Sequence, residues 1–172
     1  MAFEKTFYRD ICHQVEKSIV RSQLMMTTPF LCVFLAFFLI YVVKIPVAIA
    51  MYRLDGRYDN CPPREQQRRL DGWGLRALAA HQNGFETFPA FAAGVIIAHL
   101  KTSDPKWTAI LAVTYVVSRA LYAIFYIANW STIRSIVWGI GFLAVIGLFF
   151  RKGTKTTEEV PSRFAKKRVA RP

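Results

Sequence analysis

The sequence predicts an all-α integral membrane protein, an up-down four-helix transmembrane bundle. Four apolar runs carry that prediction, at about 30–52, 75–100, 107–128 and 133–150. Each approaches or exceeds the ~20 residues that a helix needs to cross hydrocarbon. The connections at about 101–106 and 129–132 are so short that successive runs must lie antiparallel to each other. A third observation concerns charge: Arg76, Glu86, Arg119 and Arg134 fall inside these runs or at their ends. A charge at the centre of a membrane helix costs roughly 2.5–3.5 kcal/mol, so it normally pairs, faces the bundle interior or lines a polar cavity.

The chain divides into an amphipathic N-terminal segment, 1–27, a membrane domain, 28–151, and a basic C-terminal tail, 152–172. In the first, Phe3, Phe7, Ile11, Val15 and Ile19 recur every four residues along one helical face, and charged residues cover most of the rest. That pattern fits a helix on the membrane surface, and equally one that docks a protein partner or is simply solvated. The first apolar run is too long and too far from the N-terminus for a cleaved signal, and no small-residue cleavage pattern follows it. It carries Pro46, which should bend the helix, and Lys44, which can snorkel to the nearer interface. Residues 53–73, punctuated by Gly56, Pro62, Pro63 and Gly72, read as the longest internal loop.

The net charge of +12 comes from 23 Lys and Arg against 11 Asp and Glu, much of it in the tail. Such a tail meets anionic lipid headgroups, and no nucleic-acid partner is expected. A protein partner could engage either the N-terminal helix or the tail. Cys12, Cys32 and Cys61 are odd in number and scattered, and neither His81 nor His99 has a second histidine one turn away, so no metal site is expected. The positive-inside count favours cytoplasmic termini, mainly through the tail.

Within the second run, Arg76, Asn83, Glu86, Ala90 and Ala93 fall near one helical face, with small residues alongside that let another helix approach. The face suits a polar seam, either a binding site or an internal Glu–Arg pair that fixes register. The third run aligns Tyr115, Arg119, Tyr122 and Tyr126, and a guanidinium among phenol hydroxyls can bind a carboxylate or steady a thiolate. The fourth opens with Arg134-Ser135, an arginine at the end of a helix that the dipole disfavours for a cation. Gly139, Gly141 and Gly147 read as close-packing positions.

The segment Arg76-Ala-Leu-Ala-Ala-His81-Gln-Asn83-Gly-Phe-Glu86 resembles the second-helix signature of the MAPEG family, the membrane-associated proteins in eicosanoid and glutathione metabolism. Arg119-Ala-Leu-Tyr122-Ala-Ile-Phe-Tyr126 and Ile133-Arg134-Ser135 are similar to its third- and fourth-helix motifs, so the resemblance covers about 30–150. It implies a homotrimer of four-helix protomers that binds glutathione between neighbours and acts on hydrophobic small molecules drawn from membrane lipid. It further implies that Asn83 and Glu86 hold the tripeptide's polar groups, that Arg119, Tyr122 and Tyr126 line the same crevice, and that Arg134, assisted by Ser135, stabilises the thiolate. Characterised eicosanoid enzymes carry arginine at the places of Ala79 or Gln82, a role that Arg76 would have to fill, and the prostaglandin synthases have tyrosine at the place of Trp138.

The expectation is therefore a glutathione-dependent transferase or peroxidase acting on hydrophobic electrophiles. The alternative is a non-enzymatic lipid-binding or accessory subunit, since the family includes the five-lipoxygenase-activating protein. A transporter is disfavoured, because duplicated halves and broken helices are missing. The membrane would be the inner membrane of a bacterial cell or an endoplasmic reticulum-type membrane in a eukaryote. The resemblance places the first loop on the cytoplasmic side, opposite to the charge count.

Overall fold

The computed structural model describes residues 2–153, apart from the side chains of 2–12 and several more between 15 and 26. Five helices follow in order: α1, Ala2–Asp55; α2, Pro63–Arg68; α3, Gly72–Leu100; α4, Pro105–Ile127; and α5, Ser131–Phe150. No strand is present among the described residues; the one bridge pairs Ser103 with Gly153. Thr27–Asp55 of α1, α4 and α5 are long and apolar enough to cross a membrane. At most 33% of each apolar window is buried within the chain, so most of that surface needs lipid or another subunit as its solvent. The 29 residues of α3 extend about 44 Å, but Arg76, Gln82, Asn83 and Glu86 set it apart from the three apolar helices.

The backbone of α1 is continuous through Pro29 and Pro46, each of which removes one helical hydrogen bond. It joins the N-terminal segment directly to the first apolar run. The side chains of Phe3, Phe7, Ile11, Val15 and Ile19 lie outside the described residues, as does the tail from residue 154.

The region read as one long loop, 53–73, contains α2. Pro63 occupies its first turn, where a missing N–H costs nothing and the fixed φ already suits a helix. Gln66 then pins the loop. Its side chain, 1% exposed, points its amide nitrogen at the carbonyls of Met51 and Arg57 and at Asp55, while its Oε1 accepts from the Asp59 N–H. Asp55 also forms an ion pair with Arg69, closing the end of α1 onto the end of α2.

The other two connections are tight turns. Thr102 (φ 49°) and Asn129 (φ 65°) take the left-handed conformation that terminates α3 and α4. Ser103 N–H returns to Ala98 O at 3.1 Å, and Trp130 N–H to Phe125 O at 2.9 Å. Asp104 then caps α4 by accepting from Lys106 N–H. These turns send α4 back along α3, and α5 back along α4.

Small residues set the packing. Ala36, Ala98, Ala112 and Ala144 bring α1, α3, α4 and α5 around Phe91, Val95, Tyr115 and Leu148. Nearer the first loop, Val47, Ala50 and Met51 of α1 pack on Leu70, Ala77 and Leu78. Between these two apolar layers lies a thin one of Val43, Ala80 and Ala123, and at that level the helices present their polar side chains.

Candidate functional site

Arg119 is the hub of that level. It lies two turns before the end of α4 and is 7% exposed. Its Nη1 donates to Asn83 Oδ1 at 3.2 Å, and its Nη2 to the Trp138 carbonyl of α5 at 3.3 Å. Asn83 in turn donates to Glu86 Oε2 at 3.1 Å, so one amide links a guanidinium to a carboxylate. Tyr115 and Tyr122 hold the guanidinium from α4 itself, at 5.5 and 5.0 Å from their ring centres. Arg119 Nε has no partner among the described residues.

Gly141 is what lets Arg119 reach α5. A Cβ there would collide with Ser118 Oγ and stand 2.8 Å from Arg119 Nη2. The close-packing role read from the sequence thus serves a polar contact rather than an apolar one.

From Arg119 the contacts continue toward the start of α5. The Tyr122 ring meets the Tyr126 ring edge-on at 5.4 Å, and the Arg134 guanidinium lies 4.2 Å over the Tyr126 ring. Arg134 is half-buried and makes no ion pair or hydrogen bond with its side chain among the described residues. Glu86, Asn83, Arg119, Tyr122, Tyr126 and Arg134 therefore form one string across α3, α4 and α5, each touching the next. It opens to the surface at exposed Glu86 and at Arg134.

Two expected residues stand apart from it. Arg76 Nε donates to the Ile127 carbonyl at 3.1 Å, satisfying the last turn of α4; along α3 it lies about 10 Å from Asn83. Ser135 is exposed, and its hydroxyl donates to the Ser131 carbonyl at 3.0 Å, within its own helix.

Thr87, which was not singled out, joins through Tyr115. Tyr115 OH donates to Thr87 Oγ1 at 3.1 Å, and Thr87 Oγ1 to the Asn83 carbonyl at 3.0 Å, locking α3 to α4 beside Arg119. Thr87 lies one turn beyond Asn83, a signal available from spacing alone. Behind Arg119 is a half-open cleft with about 360 Å³ of empty space, walled by Leu39, Ile40 and Val43 of α1 and by Phe88 of α3. His81 faces this side, with Nδ1 2.9 Å from the Ile40 carbonyl; it is hydrogen-bonded to the backbone, as its place away from the polar face suggests. Half-buried Lys44, one turn beyond Ile40, lies within electrostatic range of that ring.

A cation stacked on a tyrosine and without an anion among the described residues at one end, a buried cation with an unused N–H in the middle and a carboxylate at the other end can hold a small zwitterionic molecule. The sequence profile of the MAPEG family matches residues 28–153, which include every residue of the string. The chain belongs to the MAPEG family. Among curated proteins none matches significantly. Family membership and the apolar helices together make the chain a multi-pass integral membrane protein. The MAPEG family contains both glutathione-dependent transferases and accessory members.

Proposed function

We propose that the protein is a homotrimeric, membrane-embedded glutathione transferase or peroxidase, with α3 as the fourth crossing helix of each protomer's bundle. The observation that carries this reading is Arg134: a guanidinium held in place by the Tyr126 ring, with no anionic partner among the described residues, at the open end of a polar string. Stacking on an aromatic face orients the guanidinium while leaving its N–H groups available.

Glutathione is the anionic thiol substrate. Arg119, with Asn83 and Tyr122, supplies donors for its carboxylates, and Glu86 accepts from its ammonium group. Arg134 acts on the sulfur. A thiol has a pKa near 8.5, and a fixed cation beside it brings that into the range of about 3.5–7.5, so the thiolate predominates at neutral pH. The thiolate then attacks an electrophilic carbon delivered from the bilayer, whose leaving group departs with its bonding pair, or a peroxide oxygen. With the peroxide the O–O bond breaks, the alkoxide takes a proton to become the alcohol, and a second glutathione thiol converts the sulfenic acid to disulfide and water. Ser135 assists by donating its hydroxyl to the sulfur, for which it exchanges its bond to Ser131.

Arg134→Ala tests the assignment. Conjugation should fall at least ~100-fold, the order of loss seen when one electrostatic donor to a reacting centre is removed, while the oligomer keeps its size in detergent. Undiminished turnover would remove Arg134 from the mechanism. The second reading, an accessory or lipid-binding subunit, draws on Ala79 and Gln82 standing where characterised eicosanoid enzymes carry arginine. It predicts no glutathione binding and co-purification with one stoichiometric partner.

A further inference from the structure

Helix α5 has two unlike flanks. Its inward face is Val137, Gly141, Ala144, Val145 and Leu148. At 3.6 residues per turn, Ile136, Ile140 and Leu143 fall on one side of that face, exposed and wholly aliphatic, as suits contact with lipid tails. Arg134, Trp138 and Phe142 fall on the other side, each one turn beyond the last. The Trp138 and Phe142 rings are nearly parallel, 10° apart with centroids at 5.3 Å, and remain 37% and 49% exposed. They form a flat aromatic wall that begins one turn from the Arg134 guanidinium and runs into the apolar part of the helix. Arg119 anchors the backbone of this wall through the Trp138 carbonyl, leaving the indole ring free of that duty.

We propose that Trp138 and Phe142 are specificity-determining residues that select a planar, electron-poor aromatic electrophile by stacking; this rests on the thiolate reading of Arg134. Electron-rich indole and phenyl faces attract an electron-poor ring in offset stacking, whereas an alkyl chain gains only burial. The wall places such a ring within one helical turn of the thiolate. With chlorodinitrobenzene, the sulfur bonds to the ring carbon that bears chlorine, the carbon–chlorine bond breaks and chloride departs with its electron pair. The thiol proton, released on thiolate formation, passes to solvent.

The test compares chlorodinitrobenzene with nonenal, an aliphatic electrophile, in the full-length protein with glutathione. Trp138→Leu should lower the ratio of their kcat/KM values about tenfold, equivalent to about 1.4 kcal/mol of stacking. Trp138→Phe should restore most of that ratio, and the glutathione thiolate band should persist in both variants. A ratio unchanged in Trp138→Leu overturns the proposal. If the protein forms no thiolate at all, unreactive dinitrobenzene still decides the matter. Saturable quenching of tryptophan fluorescence, lost in Trp138→Leu, supports the wall as an aromatic site on an accessory subunit. The absence of saturable quenching overturns it, and identifies this flank as a surface for lipid or a second copy of the chain.

Discussion

At the residue scale, a buried guanidinium in a membrane protein needs enough acceptors around it to offset its desolvation. Arg119 finds them one helix away on each side: the Asn83 amide on α3 and the Trp138 carbonyl on α5. Asn83 is the replaceable link. In Asn83→Ala, Arg119 loses an acceptor and Glu86 a donor together, and stability should fall by about 1–3 kcal/mol, the usual cost of leaving a buried polar group unpaired. Asn83→Asp should keep the contact to Arg119 and place a second carboxylate beside Glu86. Thermal unfolding in detergent checks both, and an Asn83→Ala variant as stable as the parent would show that the relay is dispensable.

Much of this string was legible in the sequence, because a charge in an apolar run is conspicuous and helical spacing assigns it to a face. Asn83, Glu86, Arg119, Tyr122 and Tyr126 were found that way. Arg76 lies outside the string, because spacing fixes the face of a helix but not which neighbouring backbone ends at a given depth. At its depth α4 terminates, and the Ile127 carbonyl takes the guanidinium. Ser135 shows another limit, since a hydroxyl on a helix can always turn to its own backbone.

At the scale of elements, the connection between α1 and α3 depends on one side chain. Gln66 looks like an ordinary polar residue in a charged loop, and nothing in its neighbours signals that it is buried beneath Met51, Asp55, Arg57 and Asp59. Only the return of α2 against the end of α1 creates that environment. Gln66→Leu keeps the volume but leaves the Met51 carbonyl with one partner fewer and the Asp59 N–H with none of its own. The local structure of residues 56–62 should weaken by about 1–3 kcal/mol, and proteolysis of the loop should quicken at least tenfold, with turnover less affected. Equal protease resistance would show that the Asp55–Arg69 pair suffices. By contrast, the turns after α3 and α4 followed from connection length, whereas Pro63, read as a loop breaker, opens α2.

At the scale of the whole molecule, α1, α4 and α5 are apolar enough to cross the membrane, while α3 is long but polar on one face. On the proposed reading, its place beside α1, α4 and α5, with a tight turn on to α4, makes it a fourth crossing. Four crossings return the chain to its starting side, so tags at the two termini should be labelled from the same side of sealed vesicles. Labelling from opposite sides would mean that α3 does not cross. The side itself separates the charge count, which favours cytoplasmic termini, from family precedent, which puts the first loop there. The apolar helices were legible because hydropathy needs no partner. The subunits of an assembly leave no comparable mark in a single sequence, because lipid-facing and protein-facing apolar surfaces differ little in composition.

On the proposed mechanism, Arg134 creates a thiolate. Titration of the detergent-purified protein with glutathione at neutral pH, followed by near-ultraviolet difference spectroscopy, reads that species directly, with Arg134→Ala as the control. A saturable thiolate band in the parent protein, absent from the variant, is the predicted result. No band and no binding in the parent would contradict it and leave an accessory subunit whose partner must be found.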